Sequence, residues 1–109
     1  MALDFHIGDK RKDTSFKYSN VSFEEDLHTL LFYQVGLPDD GRFVLFKKLE
    51  DYYADVKYNF SELTRLIDEI KQLKLVFIEN IELVLQLDKI LVLCEKAKMN
   101  KTNIWVFCD

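Results

Sequence analysis

The stretch NIWVFC, residues 103–108, decides the fold. Ile104, Val106 and Cys108 alternate with Trp105 and Phe107, so it reads as a strand that is apolar on both faces. Left as an exposed edge, such a strand would recruit other chains, so it needs a neighbour. That neighbour lies at the opposite end of the sequence. Leu3, Phe5 and Ile7 alternate with Asp4, His6 and Gly8, the period of a half-buried strand ending at Gly8. Phe16 and Tyr18 alternate again, so the simplest reading is a hairpin with Lys10, Arg11 and Lys12 at a basic tip. A chain that opens with a hairpin, closes with a strand and carries helices between them is most economically built as a two-layer α+β domain. The expectation is a single domain over residues 1–109, with a small antiparallel or mixed sheet covered by about four helices.

The helices announce themselves by capping and periodicity. Ser22 stands three residues before Glu25 in a capping-box spacing, and Phe23, Leu27, Leu30 and Leu31 recur at helical intervals up to the stop at Gly36 and Pro38. The loop LPDDG, residues 37–41, holds the only proline, and no glycine follows Gly41. Leu45, Leu49, Tyr52 and Val56 fit one face of a second helix, although FVLF (43–46) suits extended chain as well. Asn59 or Ser61 caps a third, whose stripe is Leu63, Leu66, Ile67, Ile70 and Leu73. The segment 81–97 is apolar nearly all round, with Leu83, Val84, Leu87, Ile90, Leu91 and Cys94, which predicts a central helix. Its lysine-bearing end, KAKMNKTN, suits the negative helix terminus.

Composition removes several function classes. The chain has 109 residues, 49% apolar and 14% aromatic, which is ample for one hydrophobic core and excludes disorder. Fifteen basic against nineteen acidic side chains give a net charge of −4, the wrong sign for generic nucleic-acid binding. No apolar run approaches the roughly 18 residues of a bilayer span, and MALDFHIGDKRKD lacks the basic start and long apolar core of a secretory signal. The expectation is therefore a cytoplasmic protein, with no membrane and no nucleic acid among its partners. Cys94 and Cys108 form no CxxC and have no histidine beside them, so both are read as reduced thiols rather than metal ligands.

Catalytic parts are scarce. There are only three glycines, and no phosphate-cradling loop, metalloprotease helix, nucleophile elbow or calcium loop. No catalytic residue, metal site or cofactor is expected. His6 falls on the polar face of the first strand, where it should meet solvent. His28 follows Glu24 by one helical turn, so a carboxylate could orient its imidazole. The most informative stretch is LEDYYADVKYNF, residues 49–60, where Tyr52 and Tyr53 stand among Glu50, Asp51 and Asp55. Tyrosine builds interfaces because it offers large contact area with few rotors to freeze, and acidic neighbours speed encounter with a basic partner. The plainer reading packs Tyr52 on the Leu45, Leu49 and Val56 stripe, with Tyr53 covering its edge.

Taken together, LDF near the start, DLHTLLF, FVLFKKLEDYYADVKY, ELTRLIDEIKQL and LCEKAKMNKTNIWVFCD resemble a family of small, uncharacterised bacterial proteins similar to the immunity proteins of polymorphic toxin systems. The likeness spans most of the chain, and its motifs are helix patterns and a tyrosine pair rather than a chemical signature. It implies a cytoplasmic, non-catalytic protein that binds a cognate toxin and blocks it. His28, Asp51, Tyr52, Tyr53 and Asp55 lie in the matching stretches. With Glu50 they make the expected partner-binding set, and the expected partner is a basic protein toxin. Two other readings compete: a homodimer or regulatory interaction protein associating through the Trp105 and Phe107 face, and a small enzyme using His28.

Overall fold

A computed structural model describes residues 2–8, 21–38, 40–51 and 53–108. Strand β1 (Ala2–Gly8) lies beside β4 (Asn103–Cys108) as expected, and both are inner strands of a four-stranded sheet. The order is β2 (Val21–Glu24), β1, β4, β3 (Val56–Tyr58), and every pairing is antiparallel. Alternation sets the register. Phe5 stands opposite Val106 and Ile7 opposite Ile104, so the apolar sets of both strands fall on one face. Leu3, Phe5, Phe23, Tyr58, Ile104 and Val106 are all fully buried or nearly so.

Helix α3 (Ile81–Met99) lies over that face against β1, β2 and β4, and α2 (Leu63–Val76) packs along α3. The predicted stripe of α2 is buried in full: Leu63, Leu66, Ile67, Ile70 and Leu73. Both helix starts use side-chain caps. Asn59 and Glu62 form a reciprocal capping box on the single 3₁₀ turn that leads into α2, and Asn80 accepts the Leu83 N–H at 3.0 Å to open α3. The end of α3 is closed without glycine. Thr102 N–H reaches the Ala97 carbonyl and Lys101 N–H the Lys98 carbonyl, a Schellman closure that puts Lys101 in the left-handed region at φ 54°.

Four sequence expectations are corrected. Ser22 does not cap a helix; it sits in β2, where its hydroxyl donates to Asp4 Oδ1 at 2.7 Å across the sheet. Phe23 decides this, because pairing opposite Leu3 buries its ring completely. The first helix, α1 (Glu25–Thr29), therefore begins later and continues as a wider π-helical turn over Leu30–Val35, ending as predicted at Gly36 with φ 83°. Glu24 is its N-cap and uses no side-chain cap of its own. The second correction concerns 43–56. The described residues of this segment form no α-helix but a 3₁₀ turn at Phe46–Leu49, a bend, and then β3, so Val56 belongs to the sheet. Thirdly, α3 is covered on one face only, since Ile81, Leu85, Val92 and Met99 remain exposed. Finally, His6 is buried, 5.5 Å from the ring of Phe107, rather than facing solvent. The hairpin tip at Lys10–Lys12 and the alternation at Phe16 and Tyr18 lie outside the described residues, as does Tyr52.

The irregular segment 43–49 would be costly if its backbone polar groups were buried unpaired. Three buried side chains from three different elements pair them. Glu69 of α2, only 2% exposed, accepts the Phe46 N–H at 2.9 Å and the Leu45 N–H at 3.1 Å. Tyr58 of β3 donates its hydroxyl to the Leu45 carbonyl at 2.7 Å, and burial pushes its pKa well above the usual tyrosine value. His28 of α1 donates from Nε2 to the Leu49 carbonyl at 2.6 Å, which fixes the proton on that nitrogen because a carbonyl only accepts. Arg65, one turn before Glu69, adds a half-exposed ion pair at 3.2 Å.

Glu69→Ala strands two buried donors and should cost about 2–4 kcal/mol in urea unfolding, whereas Arg65→Ala, which removes an exposed partner, should cost under about 1 kcal/mol. Similar losses in the two variants would show that Glu69 is not the pin. Lys101→Gly should raise stability by about 0.5–1 kcal/mol, because glycine adopts a positive φ without steric penalty. Unchanged or lowered stability would show that Lys101 bears no strain there.

Candidate functional site

The chain leaves the 3₁₀ turn at Leu49 and makes an acidic bend before entering β3. Asp51 shapes the bend through its own side chain: Oδ1 accepts the Tyr53 N–H at 3.1 Å, and its carbonyl accepts the Ala54 N–H at 3.2 Å. That geometry presents Tyr53 outward, 73% exposed, with Asp51 and Asp55 exposed on either side. Glu50 is half-buried, and its carbonyl accepts the hydroxyl of Tyr33 at 3.1 Å. Tyr33 belongs to the π-helical turn after α1 and is itself 64% exposed.

Two exposed tyrosines from distant parts of the sequence thus meet the bend, Tyr53 on it and Tyr33 bonded to it from the π-helical turn. Tyr33 was not legible as a surface residue. In a regular α-helix, position 33 follows Thr29 by one turn, and the widened turn at 30–35 shifts where later side chains point. A sequence pattern built on 3.6 residues per turn cannot register that change.

His28 does not join this surface. It is 2% exposed, its ring centroid 4.7 Å from Phe32, 6.1 Å from Phe23 and 6.0 Å from Tyr33. The one-turn spacing from Glu24 does not orient the ring; the Leu49 carbonyl does. The expected partner-binding set is accordingly divided. Glu50, Asp51, Tyr53 and Asp55 share the bend, while His28 lies beneath it as the donor that anchors the residue before Glu50. Leu45 and Leu49 are buried as their apolar pattern implied, and Phe46 with them.

The remaining chemistry-bearing groups are dispersed. Among the described residues no cluster of three or more His, Cys, Asp or Glu is placed to hold a metal ion. Cys94 is buried against the core, and burial, followed by the charge of Glu95, pushes its thiol up to about 12, so at neutral pH it carries its proton. Cys94 and Cys108 are not joined in a disulfide. On the sheet face away from the helices, Trp105 donates Nε1–H to the Gly8 carbonyl at 2.9 Å and lies under the Lys57 ammonium at 4.9 Å. No helix among the described residues is long and apolar enough to cross a membrane.

Comparison with protein-family models, with curated proteins and with solved structures finds no match.

Burial separates the two histidine-and-tyrosine roles by a stability measurement. His28→Ala removes a buried donor and ring contacts and should cost about 2–4 kcal/mol, while Tyr53→Ala with Asp55→Ala should stay within about 0.5 kcal/mol of wild type. A stable His28→Ala protein would contradict the anchoring role.

Proposed function

We propose that this is a non-catalytic binding protein of the immunity type, which occludes a cognate basic toxin through the acidic, tyrosine-bearing bend at 50–55. The observation that carries the reading is the outward presentation of Tyr53 between Asp51 and Asp55, on a bend whose start is held by His28 at the Leu49 carbonyl and by Tyr33 at the Glu50 carbonyl. A fixed base matters for affinity. Loop ordering is a large cost of association, and a loop already held in one conformation loses less on binding. The two tyrosines supply rigid contact area with hydroxyls for specificity, and the carboxylates supply attraction for lysine- and arginine-bearing surfaces.

The mechanism is steric. An inhibitor of this kind needs complementarity to the toxin's active-site region and no turnover of its own, in keeping with the resemblance to immunity proteins and with a place in the cytoplasm, where such a toxin would act. Electrostatic steering gives the reading a kinetic signature, because exposed carboxylates accelerate encounter most at low ionic strength.

Tagged wild-type protein should capture a basic protein from the source cell, and a Tyr53→Ala, Asp55→Ala double variant that keeps its circular dichroism should lose it. With the captured protein purified, the association rate should fall steeply with added salt for wild type and less steeply for the variant. Equal capture by both forms would remove the bend from the interface. Capture of no partner by either form would end the inhibitor reading.

A further inference from the structure

No further inference is drawn: the strongest candidate, the apolar stripe of Ile81, Leu85, Val92 and Met99 exposed along the outer face of α3, is interrupted by the carboxylates of Asp88 and Glu95, and nothing in the structure shows what covers it.

Discussion

The Glu69 carboxylate organises this protein more than any apolar contact does. Residues 43–49 line the hydrophobic core as turns ending in a short 3₁₀ turn, whose own bonds leave the N–H groups of buried Leu45 and Phe46 to be completed by other elements. Glu69 supplies the acceptors for two consecutive N–H groups, Tyr58 the donor for the carbonyl of one of the same residues, and His28 the donor for the carbonyl of Leu49. The three come from α2, β3 and α1. Each element is therefore tied to the same short segment, and the segment's shape is a property of the assembled fold rather than of its own sequence.

This explains which parts of the fold could be read in advance. The pairing of β1 with β4, the stripe of α2, the Gly36 stop and the cap at Asn59 all rest on local or periodic signals: alternation, 3.6-residue spacing, a permissive glycine, a short side chain placed to accept an N–H. They were legible. Residues 43–56 carry a helical pattern of Leu45, Leu49 and Val56, and all three are indeed buried, but by three different arrangements of backbone. Burial period alone does not determine conformation when distant side chains satisfy the main chain. Ser22 failed for the opposite reason. Its capping spacing was genuine, but the gain from burying Phe23 against Leu3 outweighs the roughly 1 kcal/mol of a cap.

The candidate site was half legible on the same grounds. Exposed Asp51, Tyr53 and Asp55 follow from composition in a short acidic stretch, and the turn made by Asp51 is a local device. His28 was misplaced because a histidine one turn after a glutamate looks alike on a surface and in a core, and the Leu49 carbonyl that holds it is 21 residues away. Tyr33 escaped because the π-helical turn breaks the period by which its direction would be inferred. Catalytic and recognition surfaces are often built at such irregularities, where the backbone departs from what its sequence alone would choose.

The placement of β1 and β4 at the centre of the sheet has a consequence for how the chain comes to be folded. The indole of Trp105 bonds a carbonyl 97 residues earlier, and the strands that carry these two groups come from opposite ends of the sequence. A growing polypeptide can form α1, α2 and most of α3 as it is made, but β1 must wait with an unfilled inner edge until β4 has been synthesised. Contacts of such sequence separation make for slow closure. Until β4 emerges the first strand stays open to wrong partners, and its pairing with β4 is the step that joins the two halves of the sheet.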